Sequence, residues 1–261
     1  FGLINVQRPT LAQNLDYFIT FQNYFYFVRY LLWNYSGRQN DVEGHMENTN
    51  GNFITGIPFI DNNMWGDQAE MPAKFQNEST VKFFMLPLIL GLIGFFFQLN
   101  RDFGRFYAVL SLFILTSVMI VFYTGMKPFE PRERDYAMVG SFYAFAIWIG
   151  LGVAAIYWLL QKKIKTKGAQ IIAGVILLGI PLMMGFQNYN VHNRSERFAA
   201  YDYAYSSLKS LPKNGIMFVY GDNDTYPVWA IQETEEFRPD VKVVNFTLLS
   251  TPWNIDQVKR R

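Results

Sequence analysis

The sequence contains no cysteine, only two histidines, and no acidic or basic residue in four long stretches. The absence of cysteine excludes a disulfide-stapled domain. His45 and His192 lie far apart and have no ligand-spaced neighbours, which argues against a zinc site. No P-loop, G-x-G-x-x-G or G-x-S-x-G motif is present. A net charge of +2 gives no reason to expect a nucleic-acid partner.

The charge-free stretches are windows 83–99, 106–126, 136–160 and 169–186, which hold 17, 21, 25 and 18 residues. A helix needs about 20 apolar residues, and at least about 17, to cross the hydrocarbon core of a bilayer. The alternative, a soluble protein with unusually apolar core helices, would require a polar face on each helix, and these windows have none. The sequence therefore predicts a mainly α polytopic membrane protein with about four transmembrane helices in residues 83–186.

Lysine and arginine in the short connections predict the orientation. Arg101 and Arg105 lie in the first connection, and four lysines with no acid lie in the third, QKKIKTKG. The second connection, KPFEPRERD, mixes both signs. We therefore expect the first and third connections to be cytoplasmic, with the second, residues 1–82 and residues 187–261 outside.

Residues 17–33, YFITFQNYFYFVRYLLW, are aromatic but are interrupted by Gln22, Asn23 and Arg29. A charged residue at mid-span is costly, so an interfacial or bundle-packed helix is expected. A fifth crossing, which would invert the side of residues 1–16, remains open. Residues 34–80 are polar and rich in Asn and Gly, which predicts a long outer loop; loops of this length are usually functional or disordered.

Residues 187–261 have the pattern of a small α/β unit outside the membrane. A helical segment ends at Pro212, and the strand-like run GIMFVYG follows it. The segment DNDTYPVWAIQETEEF then predicts a capped helix, and VKVVNFTLL predicts a second strand. Strand, helix and strand in this order predict a parallel βαβ element.

Three polar motifs are candidate sites. In PRERDY, Arg132 and Arg134 are suited to bidentate contacts with phosphate, while Glu133 and Asp135 could act as a general base. A solvated juxtamembrane charge cluster is the equally weighted alternative. In GRQND, Arg38, Asn40 and Asp41 could contact sugar hydroxyls or phosphate; the alternative is a helix C-cap at Gly37. The three motifs are PRERDY, GRQND and GDNDT.

GDNDT places Asp222 and Asp224 between a predicted strand and a predicted helix. Two carboxylates at this spacing could share Mg²⁺ or Mn²⁺, and Asp-X-Asp after a strand resembles the metal and sugar-nucleotide motif of soluble glycosyltransferases. The alternative, capping of the helix N-terminus by these acids, has the greater weight.

The segments RYLLWNYSGRQND, PRERDYAMVGSFYAF and GDNDTYPVWAIQETEEF resemble a bacterial membrane-protein family of unknown function. That family is similar to the animal transmembrane protein O-mannosyltransferases that modify plexin-type receptor domains. The resemblance extends from about Arg29 to Arg261. It implies a GT-C type glycosyltransferase of the bacterial inner membrane, with both ends of the chain on the periplasmic side. The donor would be a polyprenyl-phosphate sugar, and the acceptors would be Ser or Thr of exported proteins.

The same resemblance implies roles for the motifs. Arg132 and Arg134 would contribute to the carrier-phosphate or acceptor site, and Asp222 and Asp224 would line an outer domain. Because GT-C enzymes usually carry a catalytic acid in their first outer loop, the main base is expected outside this sequence. We therefore expect a fragment, inactive alone, that lacks the N-terminal part of the enzyme. A non-catalytic membrane scaffold or glycan-binding subunit is the alternative function.

Overall fold

The computed structural model describes residues 8–44, 47–128 and 134–260, and the chain divides into two compact units, Phe1–His192 and Asn193–Arg261. The helices of the first unit are α1 (Leu11–Asp16), a π-helix (Tyr17–Val28), α2 (Arg29–Tyr35), α3 (Pro58–Trp65), α4 (Leu86–Arg101), α5 (Phe103–Leu115), α6 (Val118–Thr124), α7 (Val139–Lys163) and α8 (Lys167–His192). Its strands are β1 (Gly37–Arg38) and β2 (Val81–Lys82), which pair antiparallel. The predicted mainly helical fold is confirmed.

Among the described residues, three helical segments are long and apolar enough to cross a membrane: Phe103–Thr124, Asp135–Lys163 and Lys167–His192. The first of these is interrupted at Thr116–Ser117, where the Ser117 hydroxyl donates to the Phe113 carbonyl at 2.6 Å; such back-bonding bends apolar helices. The fourth predicted window forms α4, which has only 16 residues. At 1.5 Å per residue α4 is about 24 Å long, shorter than the hydrocarbon core of about 30 Å. The described residues therefore contain three helices of membrane-crossing length and one shorter apolar helix, and a fourth crossing stays a prediction.

Helices α4 and α7 cross in direct backbone contact. A β-carbon on Gly94 would lie 1.8 Å from the Trp148 carbonyl oxygen, and one on Gly152 would lie 2.0 Å from that of Leu90. The indole Nε1 of Trp148 also donates to Gln98 at 2.8 Å. Small residues allow apolar helices to approach this closely, so the scattered glycines of the predicted membrane windows place α4 against α7.

α1, the π-helix and α2 follow one another without a break over residues 11–35. Thr10 and Gln13 form a reciprocal capping box at the start. Phe25, Tyr26 and Phe27 are buried in a core that also contains Val121 and Met126. The aromatic segment is thus a helix packed into the bundle, which is one of the two forms that the sequence predicts for it.

Residues 36–82 form a folded loop module that closes on itself through the β1–β2 pair. Its interior is polar: the buried Asp61 carboxylate accepts from the Thr55 and Gly56 amides at 2.7 and 2.8 Å and from the Thr55 hydroxyl at 2.8 Å. The sequence predicts a long aperiodic loop here. The structure adds the short helix α3 within this segment, and elsewhere side-chain hydrogen bonds hold the segment together.

The second unit contains α9 (Ala199–Lys209), β3 (Ile216–Val219), α10 (Asp222–Thr234), β4 (Lys242–Asn245) and α11 (Pro252–Arg260). β3 and β4 are parallel, with Phe218 opposite Val244. Ala204 and Leu208 of α9 pack with Val228 and Ile231 of α10 against one face of the sheet. The predicted βαβ element is present.

Candidate functional site

The segment before α7 carries the PRERDY motif. Arg134 and Asp135 are exposed, and Asp135 opens a 3₁₀ turn, Asp135–Met138, that continues into α7. Arg132 and Glu133 lie outside the described residues. Met126 and Met138, on either side of the motif, are 1% and 0% exposed. Both residues are thus buried in the bundle, and Arg134 and Asp135 lie close in sequence to the buried Met138.

The π-helix binds the backbone just before the PRERDY motif, at Met126 and Lys127. Gln22 Nε2 donates to the Met126 carbonyl at 2.7 Å, Tyr17 Oη donates to the same carbonyl at 3.4 Å, and Tyr26 Oη donates to the Lys127 carbonyl at 2.6 Å. In an α-helix, residues five apart such as Tyr17 and Gln22 would point about 140° apart. The i→i+5 pattern of a π-helix brings them to one face, and π-helical turns are frequent at functional sites.

The GRQND motif begins the loop module, and its members differ in their surroundings. Asn40 is completely buried: its Nδ2 donates to the Thr49 and Phe75 carbonyls at 2.8 and 3.0 Å, and its Oδ1 accepts from the Gly51 amide at 2.8 Å. Asp41 is exposed and accepts from Asn77 at 2.7 Å. Asn40 thus ties the module together, whereas Asp41 faces solvent.

Arg38 is the half-buried cation of this motif. Its Nε donates to the Ser79 carbonyl at 2.7 Å, whereas its Nη2 is buried without a hydrogen-bond partner among the described residues. Burial lowers the pKa of the Arg38 guanidinium below its ordinary value, and nearby Asp41 partly opposes this effect. The helix does not end in a glycine cap, since α2 ends at Tyr35 and Gly37 lies in β1.

Arg29 lies close by, and the sequence reveals it only as a charge that interrupts an aromatic run. Its guanidinium stacks on Phe25 at 3.9 Å, and its Nη1 donates to the Gly51 carbonyl at 2.8 Å. The Trp33 ring has the guanidinium carbon of Arg29 at 5.2 Å and that of Arg38 at 5.6 Å. The structure therefore brings two arginines to one indole, an arrangement that favours an anion or a polar ligand with acceptor oxygens.

A polar groove of about 400 Å³ opens in the same loop module. Gln39, Gln68, Asn77 and Lys82 are among its lining side chains, and a second cavity of about 180 Å³ that contains Asp61, Asn62 and Asp67 adjoins it through shared residues. Amide side chains can both donate to and accept from the hydroxyls of a ligand, and carboxylates accept from them.

Asp222 and Asp224 lie in the first turn of α10, at the carboxyl end of β3. This is the position that the capping alternative describes, where the free N–H groups of the helix favour negative charge. Within the described ranges, no three His, Cys, Asp or Glu residues are grouped so that they could hold a metal. Asn245, at the end of β4, donates to the Thr225 hydroxyl at 2.7 Å, which links the carboxyl ends of both strands.

Helices of membrane-crossing length and the folded polar module define the class as a membrane protein with a small α/β unit. Residues 200–261 match the family model TMEM260-associated domain 2. The chain is also similar to Protein O-mannosyl-transferase tmem260 of Dictyostelium discoideum, with 27% identity over 121 residues, which cover 41% of this chain and 15% of the relative. The chain thus spans a small part of that relative's length. No solved structure matches the chain.

Proposed function

We propose that this chain is part of an integral-membrane glycosyltransferase of the GT-C type that resembles protein O-mannosyltransferases. The enzyme moves a sugar from a polyprenyl-phosphate carrier to Ser or Thr of exported proteins. The distant similarity to a protein O-mannosyl-transferase supports the reaction class. The observation that carries the proposal is Arg38, whose buried Nη2 lies beside Trp33 and has no hydrogen-bond partner in the described part of the chain.

In this proposal the arginines hold the carrier phosphate. A guanidinium makes charge-assisted, bidentate contacts with phosphate oxygens. Arg38 has a donor that no described residue accepts from, and Arg134 is exposed next to α7. Arg132 has the same role by its place in the motif. Neutralising the phosphate favours its departure as the sugar is transferred.

Proton transfer from the acceptor hydroxyl requires a base. Asp135 is exposed at the head of the 3₁₀ turn, and we propose Asp135 or Glu133 for this role in the acceptor site. Asp41, which faces solvent next to Arg38, would bind sugar hydroxyls. The buried Asn40 would fix the backbone beside it. Asp222 and Asp224 are proposed substrate contacts of the outer unit, with a shared divalent metal as an option.

The orientation belongs to the same proposal. We propose a bacterial inner-membrane protein with the loop module and the α/β unit in the periplasm; the charge bias of the short connections supports the side on which these parts lie. Lipid-linked donors need no nucleotide-binding motif, in agreement with the lack of such motifs in the sequence.

The test is a genetic replacement. The gene that encodes this chain is deleted, and the hexosylation of exported proteins is measured by mass spectrometry after restoration with wild type, Arg134→Ala, Arg38→Lys or Arg105→Ala. Arg105 lies in the first connection, on the opposite predicted side, with its side chain 86% exposed. We expect wild type and Arg105→Ala to restore hexosylation, and Arg134→Ala and Arg38→Lys to fail although they insert normally. Full restoration by both site variants would overturn the proposal.

A non-catalytic, glycan-binding subunit is the second candidate, because the loop module contains a groove lined by amides. The same strains decide between the two functions. If deletion leaves the hexosylation of every exported protein unchanged but abolishes retention of a glycan by the membrane fraction, the binding function replaces the enzymatic one.

A further inference from the structure

The sheet of the second unit packs against α9 and α10 on one face, and its other face carries exposed side chains around the buried Val244, which lies opposite Phe218. Met217 and Val219 of β3 face the core formed by α9 and α10. The alternate residues Ile216, Phe218 and Tyr220 point to the other face, where they are 57%, 58% and 71% exposed. Phe246, just beyond β4, is 54% exposed on this face and stacks on Phe218 at 5.1 Å. We name Ile216, Phe218, Tyr220 and Phe246 the bare face.

The bare face is uncharged and strongly apolar. β3 reads IMFV and β4 reads KVVN, so that Lys242 at the start of β4 is the only ionisable residue of the two strands. Parallel sheets are normally covered on both faces. An exposed group of large apolar side chains marks a surface that binds a protein or a membrane.

The attachment of the second unit favours the membrane. α8, which is long and apolar enough to cross a bilayer, ends at His192, and α9 begins at Ala199. The intervening residues, 193–198, can reach no more than about 20 Å even when fully extended. The start of the unit is therefore held near a bilayer surface, and the boundary between lipid and water is where Tyr and other aromatic rings are enriched.

We propose that the bare face rests in the interfacial layer of the lipid bilayer. Phe218 and Phe246 insert between the acyl chains near the headgroups, Tyr220 keeps its hydroxyl in the polar layer, and Lys242 at the edge meets lipid phosphate. The docking limits the α/β unit to one orientation against the surface that carries the lipid-linked molecules. The proposal does not depend on which reaction the protein catalyses.

Depth-dependent fluorescence quenching tests the proposal in the whole chain. The sequence has no cysteine, so Phe218→Cys and Phe246→Cys each provide a single attachment point for an environment-sensitive fluorophore. Thr234→Cys, an exposed position at the end of α10, is the matched control on the helical layer. Each labelled protein is reconstituted into vesicles of phosphatidylcholine and phosphatidylglycerol, with or without a lipid that carries a nitroxide near the headgroup end of an acyl chain.

We expect the nitroxide lipid to quench the labels at positions 218 and 246 several times more strongly than the label at position 234. Equal, weak quenching at all three positions would overturn the proposal. A blue-shifted emission at positions 218 and 246 that the nitroxide lipid does not quench would also overturn it, because the face would then be covered by protein. Two independent labels on the bare face guard against a local effect of either substitution.

Discussion

Gly94 lies directly against the Trp148 carbonyl, since a β-carbon on this glycine would be 1.8 Å from that oxygen. The α4–α7 crossing therefore has no room for a side chain at this point. The shorter apolar helix α4 is fixed to one of the full-length candidate spans by backbone contact. The loop module, which ends just before α4, is thereby connected to the bundle.

Gly152→Ala in α7 tests this crossing, with Gly150→Ala on the same helix as its matched control. A β-carbon on Gly152 would lie 2.0 Å from the Leu90 carbonyl oxygen, whereas nothing lies within 4 Å of one on Gly150. We expect Gly152→Ala to cost at least the free energy typical of overpacking, about 1–3 kcal/mol, and so to lower the unfolding temperature in detergent. Gly150→Ala should leave it unchanged or raise it slightly, because Ala favours helix. Equal effects of the two substitutions would contradict the crossing.

Tyr26→Phe should weaken the attachment of Lys127, just before the PRERDY motif, to the π-helix. The substitution removes the hydroxyl that donates to the Lys127 carbonyl at 2.6 Å and leaves the ring in place. A hydrogen bond contributes about 0.5–1.5 kcal/mol, so a cysteine introduced at Pro128 should react with a soluble maleimide about two to ten times faster. Tyr24→Phe on the same helix is the control. If both variants react at the wild-type rate, the hydrogen bond from Tyr26 to Lys127 does not fix the chain before the PRERDY motif.

The loss of folding stability at acid pH should depend on Asp240. Hydrogen bonds from Arg238, followed by one from the Asn214 amide, hold the pKa of the Asp240 carboxyl below its ordinary value. Such a group stabilises the folded state above its unfolded pKa of about 3.9 and loses this contribution as the pH falls toward the folded value. Asp240→Asn should therefore lower the unfolding temperature near neutral pH and flatten its decline below about pH 4. Asp256→Asn, at an exposed position of α11, should show the wild-type profile; the same profile for Asp240→Asn would refute the assignment.

The predicted orientation can be tested by labelling single cysteines in intact cells. A membrane-impermeant maleimide should label Lys209→Cys, in α9, and should fail to label Lys165→Cys, between α7 and α8, until the cells are lysed. Lysine and arginine in short connections keep those connections on the cytoplasmic side, which is the physical reason for this expectation. Labelling of position 165 from outside would invert the orientation and remove the proposed periplasmic site.

The parts of the fold that the sequence predicts are those set by local pattern. The runs around Phe218 and Val244 are short, apolar and bounded by turn residues, and the structure has strands at both. The long apolar windows form helices for the same reason. Gly94 and Gly152 were visible as small residues in such windows, but only the structure shows that they face each other.

The rest depends on contacts between residues that are distant in sequence. Asn40 reaches the Phe75 carbonyl, and Arg29 reaches the Gly51 carbonyl. Such hydrogen bonds between side chains and backbone leave no periodic pattern in the sequence. The sequence therefore predicts only an irregular loop for residues 36–82. The juxtaposition of Arg29 and Arg38 at Trp33 is likewise a product of tertiary structure, and the arginine within an aromatic helix was the only signal that could have revealed it.

The most direct test of the central claim is a transfer assay. The whole protein that the gene encodes is expressed, purified in detergent, and incubated with radiolabelled polyprenyl-phosphate mannose and a Ser/Thr-rich polypeptide from the same cells. We predict that label passes to the polypeptide with wild type and Arg105→Ala and that Arg134→Ala abolishes this transfer. Absence of transfer by folded wild-type protein, or undiminished transfer by Arg134→Ala, would contradict the account.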